Sequence, residues 1–127
     1  MGVRRRIPSV TGLAAVAEWQ RADAGERAAL PRAATALAVR YALEELSERA
    51  EGNSVEVRVP PFGVAQCVAG PRHTRGTPPN VIELDAGTWL ALATGELGWA
   101  AALASGAVSA SGLRADLSGH LPLFGTL

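Results

Sequence analysis

Near residue 52 the spacing of apolar side chains changes from helical to extended, and that change restricts the chain to mixed architectures. Before it, Val39, Leu43, Leu46 and Ala50 recur at intervals of four, three and four, which predicts a helix from Pro31 to Ala50. Pro31 suits the start of that helix, where a missing N–H costs little. Arg40–Glu44 and Glu45–Arg49 have the i,i+4 spacing of ion pairs, and Gly52-Asn53 closes the segment. After it, Val55, Val57 and Val59 alternate with Glu56 and Arg58, the pattern of a half-buried strand. Pro60-Pro61-Phe62-Gly63 reads as a turn, and Val64 to Ala69 as the returning strand of a hairpin. The returning strand has unequal faces. Val64, Gln66 and Val68 share one, while Ala65, Cys67 and Ala69 make the other small throughout. Either a ligand fills the space above that small face or the alanine-rich helix near Ala33 to Ala38 comes close to it. Dense packing of interiors favours the helix.

The remaining segments alternate in type. Thr11 to Ala22 reads as a short helix ended by Asp23-Ala24-Gly25. Gly70 to Asn80 is a loop, and Val81 to Leu84 a third strand. Asp85 is placed to cap a helix that runs to about Ala93 and closes at Thr94-Gly95. A second short helix spans Gly98 to Ala104, and Ala107 to Ser111 is a fourth strand. The apolar tail, Ala115 to Leu127, has Asp116 or Ser118 as caps and Pro122 as a breaker, with a last helix starting over Leu117 to Leu121. The expected fold is α/β (α+β): one layered domain over residues 31–127, with a small, mostly antiparallel sheet covered by helices. Residues 1–30 form an N-terminal extension with a short helix.

Composition narrows the chemistry. Twelve basic residues balance twelve acidic ones, so no net charge draws the chain to nucleic acid or an anionic membrane. Aromatic residues are 5%, too few for base-stacking platforms. Every basic residue is arginine, which excludes a Schiff-base lysine. The single cysteine, Cys67, excludes an internal disulfide and, with only His73 and His120 beside it, supplies a transition-metal site poorly. A lone cysteine fits a reducing, cytoplasmic setting. The apolar run Val10 to Ala17 leads into Glu18-Trp19-Gln20-Arg21 rather than a cleavage site, and no run nears the roughly 20 residues of a membrane span. Stable membrane insertion, nucleic-acid partners and cofactors are therefore not expected.

The second half carries a resemblance. A strand ends in Asp85, and Thr88-Trp89-Leu90-Ala91-Leu92 opens a helix. Thr94-Gly95-Glu96-Leu97 turns the chain, a helix ends at Ser105-Gly106, and Val108-Ser109-Ala110-Ser111-Gly112 is a strand ending in glycine. With the long helix and hairpin before it, this order over about Pro31 to Phe124 resembles the sterol carrier protein superfamily. The stretch Val59 to Asn80 points to its stand-alone bacterial members. The resemblance implies an apolar lipid tunnel between the sheet and the C-terminal helices, and no catalytic residues. A related domain is appended to mycothiol-dependent maleylpyruvate isomerases, whose metal sits in a separate helical bundle. The segment before Pro31 is too short for such a bundle and has no histidine, so no metal is implied.

Two groups of candidate site residues follow. Trp89, Leu92, Trp99, Leu103, Leu121, Leu123 and Phe124 either wall a lipid pocket or pack as plain core. Arg72, His73 and Arg75 lie in a stretch without acids between Glu56 and Glu83, and two guanidinium forks beside a histidine suit a carboxylate or phosphate head group. Cys67 with His73 is a nucleophile–base pair on paper, but its strand position favours a buried, inert thiol. The expected function is non-catalytic binding of a lipid or fatty acyl ligand, with residues 115–127 as a lid. The alternative is a protein-interaction or homodimerisation module with no pocket.

Overall fold

The computed structural model describes residues 6–71 and 80–127. Three helices come first: α1 (Ser9–Arg21), α2 (Ala24–Ala29) and α3 (Arg32–Arg49). The hairpin β1 (Val55–Val59) and β2 (Gly63–Cys67) follows, then β3 (Asn80–Leu84), α4 (Ala86–Thr94), α5 (Trp99–Ala104) and β4 (Val108–Ser111). The four strands form one open sheet in the order β2-β1-β3-β4. Both outer pairings are antiparallel, and the central one, β1 with β3, is parallel. The fold is thus mixed α+β, with a mostly antiparallel sheet.

One face of the sheet is covered. Val55, Val57, Val59, Cys67 and Ile82 point into the core against Val39 and Leu46 of α3 and Leu90 and Leu92 of α4. Each large apolar side chain buried this way contributes roughly 1.5–3 kcal/mol. The opposite face carries Arg58, Gln66, Glu83 and Ser109, all exposed. Asp85 caps α4, accepting a hydrogen bond from the Thr88 N–H at 2.7 Å, and Gly95 ends that helix in the left-handed region.

Three local expectations change. Asp23 does not only end a helix; it starts α2, through a capping box in which its carboxylate takes the Glu26 N–H and Glu26 takes its own. Arg40 and Glu44 do not pair: Arg40 Nε donates to the Phe62 carbonyl, and Glu44 accepts the Arg6 and Ile7 N–H groups. Glu45 and Arg49 do pair. The tail forms no helix over 117–121. His120 N–H reaches the Leu117 carbonyl for a single turn, and Asp116 takes the Ser118 N–H instead of capping a helix. Hydrogen bonds from the Ser118 backbone and side chain to the Asp116 carboxylate hold its pKa below the usual value. A helix needs several turns to repay its nucleation, and Gly119 and Pro122 leave too little room. The tail crosses the core as an irregular strap. Leu123 and Phe124 N–H both donate to the Ala93 carbonyl, and Phe124 stacks on Tyr41 at 5.9 Å.

The helix before residue 31 packs on the rest of the chain. Val16 and Trp19 of α1 are buried in the common core, and Gly12 seats α1 against the Tyr41 ring of α3. Arg27 of α2 binds this layer to the turn after α4. Its guanidinium lies 3.6 Å over the Trp19 ring, donates to the Trp19 and Gln20 carbonyls, and meets both Glu96 carboxylate oxygens. The Glu96 pair is partly exposed and contributes little; the stacking and the carbonyl bonds contribute more. Arg27→Ala is expected to lower stability by about 1–2 kcal/mol in urea denaturation, most of it retained in high salt, where a dominant ion pair would lose its effect.

Candidate functional site

Open space lies at one edge of the sheet. Because Ala65 and Cys67 are short, α3 descends on β2 but does not fill the region above it. Ser47 Oγ donates to the Gln66 carbonyl at 2.9 Å, and a side chain at Gly63 would meet Leu43 at 3.1 Å. Residues 40–47 of α3 make this close approach, while Ala36 and Ala38 of the alanine-rich stretch are buried. Between the two elements runs a groove of about 900 Å³, lined among others by Leu43, Phe62, Val64 and Ala65 and by the charged Arg40 and Glu44. Arg32 stands 5.4 Å over the Phe62 ring at the turn end of the groove.

At its other end the groove stops at Gly52 and Asn53, where the backbone is tightly held. Val68 takes a φ of +64°, a left-handed conformation that is a genuine outlier for a β-branched residue. Three bonds hold it. Its carbonyl accepts the Ser54 N–H and the Ser54 hydroxyl at 2.6 Å, and its N–H donates to the Ala50 carbonyl. The chain leaves the groove floor through this residue.

The candidate side chains of the sequence reading fall elsewhere. Trp89, Leu92, Leu123 and Phe124 are buried, and the Trp89 indole N–H donates to the Val39 carbonyl. Trp99 and Leu121 are half-buried, and Leu103 is 42% exposed. None of them lines the α3–β2 groove. Arg72, His73 and Arg75 lie outside the described residues. Sequence reasoning missed Arg40, Leu43 and Ser47 as groove residues. The usable signal was the small face of β2, read beside a helix that places a serine and a leucine over it.

Cys67 is fully buried, and burial pushes its thiol up to about 11. The unfolded thiol ionises near 9.0, so this group leaves stability unchanged below that pH and lowers it as pH rises from 9.0 to about 11. Native protein at pH 8 is expected to resist Ellman's reagent and to react fully once unfolded in urea. Rapid labelling of the native form would mean that the strand is open to solvent. Among the described residues no cluster of three or more histidine, cysteine or acidic side chains is arranged to hold a metal. No helix among them is long and apolar enough to cross a membrane.

A family model described as bacterial SCP ortholog matches residues 31–123, most of the chain. The chain belongs to this bacterial sterol carrier protein-like family. No curated protein matches it. The family match begins at the proline before α3 and ends within the strap, so it covers the whole sheet, both walls of the groove and the helices that roof the core. The fold associated with this family is a lipid-binding one, generally without catalysis.

Proposed function

We propose that this chain binds a ligand with an apolar acyl chain, without transforming it, and that the chain lies in the α3–β2 groove. The observation that carries the reading is the groove itself. About 900 Å³ lies within the roughly 300–1,000 Å³ typical of small-molecule sites, in a family whose fold is associated with lipids. Leu43, Phe62, Val64 and Ala65 supply apolar contact, and Arg40 offers a charged partner for a carboxylate head group. Arg72, His73 and Arg75, on the segment that follows Val68, are proposed as a second head-group contact.

A second location is favoured by the strap. Trp89, Leu92, Trp99, Leu103, Leu121 and Phe124 are proposed to wall a pocket that opens when residues 115–127 lift. Few hydrogen bonds hold the strap, two N–H bonds to Ala93 and the Gln20 contacts to Gly125 and Leu127, so lifting it would cost mainly the burial of Leu117, Leu123 and Phe124.

The test is titration with a fluorescent fatty acid series and the matching alcohols. At about 0.8 kcal/mol per CH₂, affinity should rise roughly three- to fourfold per added carbon. Arg40→Ala should weaken the acids by about tenfold and spare the alcohols. An unchanged acid affinity in Arg40→Ala with a large change in Phe124→Ala would move the ligand under the strap. If neither acids nor alcohols bind at micromolar concentration, the ligand reading falls.

A further inference from the structure

The segments that flank the family match hold each other. The match spans residues 31–123, so α1 and residues 124–127 lie outside it. Gln20, in the last turn of α1, reaches across to the strap. Its side-chain N–H donates to the Gly125 carbonyl at 3.2 Å, and its side-chain carbonyl accepts the Leu127 N–H at 2.9 Å. In an extended segment the carbonyl of one residue and the N–H two places on point to the same side. A glutamine amide, with a donor beside an acceptor, reads that edge as a neighbouring peptide would. Among the described residues, the backbone of 125–127 makes no other hydrogen bond.

The two segments also meet through a shared ring. At Gly12, α1 sits directly on Tyr41, where an added Cβ would stand 2.1 Å from a ring carbon, and the same ring stacks on Phe124. The two sides of this contact are not held equally. Helix α1 has its own anchors: Val16 and Trp19 are buried in the core, and the Arg27 guanidinium stacks on Trp19 and donates to the Trp19 and Gln20 carbonyls. Residues 125–127 are exposed. Gln20 is thus presented from a fixed base to a segment with little else to hold it.

We propose that the N-terminal extension is a latch on the strap, with Gln20 as its catch. The strap opens when Gln20 releases residues 125–127, while the sheet and α3 stay folded. Entry of an acyl chain beneath the strap rests on the second ligand location above; the latch itself does not.

Native-state hydrogen exchange of the full chain tests this. The Leu123 and Phe124 amides both bond to the Ala93 carbonyl, so their exchange reports the opening of the strap. Gln20→Met keeps the side-chain length and the helix propensity and removes both polar contacts. It should speed exchange at Leu123 and Phe124 by about tenfold and leave the amides of the central strands β1 and β3 unchanged. Glu18→Met, at an exposed position on the same helix, is the control and should change neither set. Unchanged exchange at Leu123 and Phe124 in Gln20→Met overturns the latch, since the rest of the chain then holds the strap without it. Equal acceleration of strap and sheet amides also overturns it, since the strap then opens only with the whole fold. Stopped-flow mixing with a fluorescent fatty acid separates the latch from the ligand. Association that speeds up as much as the amides do supports entry beneath the strap. Faster amides with unchanged association confirm the latch and remove the strap as the way in. Faster amides with no fatty acid binding confirm the latch and remove the ligand reading.

Discussion

Gly52→Ala should destabilise the protein by about 3–5 kcal/mol, the sum of a forbidden backbone conformation and a backbone clash. Gly52 has a φ of +148°, and a Cβ there would stand 2.2 Å from the Val68 carbonyl oxygen. That oxygen has no freedom to retreat, because the Ser54 N–H and hydroxyl both hold it. Gly106→Ala is the internal comparison. Its φ is +78°, but nothing lies within 4 Å, so only the conformational cost of about 1–2 kcal/mol remains. Urea denaturation of the two variants separates the terms. Equal losses would mean that the Gly52–Val68 contact relaxes freely and that this end of the groove is not rigid.

Trp89→Ala is expected to cost about 3–5 kcal/mol and to lower the melting temperature by about 10–20 °C. The side chain is fully buried at the centre of the core, and its indole N–H reaches the Val39 carbonyl at 3.3 Å. Removal leaves a cavity that α3, α4 and the strap can close only partly. Against a total stability of roughly 5–15 kcal/mol, the variant would be marginal. The size of the loss also bears on function. A cost under about 1.5 kcal/mol, with tighter fatty acid binding, would show a site that collapses or fills easily. That outcome would favour a ligand under the strap over one in the α3–β2 groove.

Local signals in the chain served the elements well where one force dominated. The apolar stripe Val39, Leu43, Leu46 and Ala50 is a helix face because those positions meet the sheet, and all four are buried. The alternation Val55, Val57, Val59 is a strand because only one face of the sheet is covered. Asp85 caps its helix and Gly95 ends it, since both effects act within one turn. The signals failed where two local readings competed. Asp23 both follows one helix and caps the next, and the capping box with Glu26 decides for a new start. Leu117 to Leu121 has helix-compatible residues, but packing Leu117, Leu123 and Phe124 on the core outweighs one unsupported turn.

The candidate site was legible only in part. The small face of β2 was visible in Ala65 and Cys67, and so was the choice between a ligand and a close helix above it. The structure shows a close helix and open space at once. Residues 43 and 47 of α3 come close, and space remains beside them along the open edge. Trp89, Leu92 and Phe124 looked like pocket walls because they are large and apolar, a property that core and pocket share.

By itself the sequence determined the family, the long helix, the four strands and the two helices between the last of them, because periodicity, capping and turn chemistry act over a few residues. Tertiary structure alone decided the strand order β2-β1-β3-β4, the seating of Gly12 on Tyr41, the strained Val68 and the groove between α3 and β2. Those features depend on contacts between residues far apart in the chain, where distance and steric fit decide which of several locally acceptable arrangements survives.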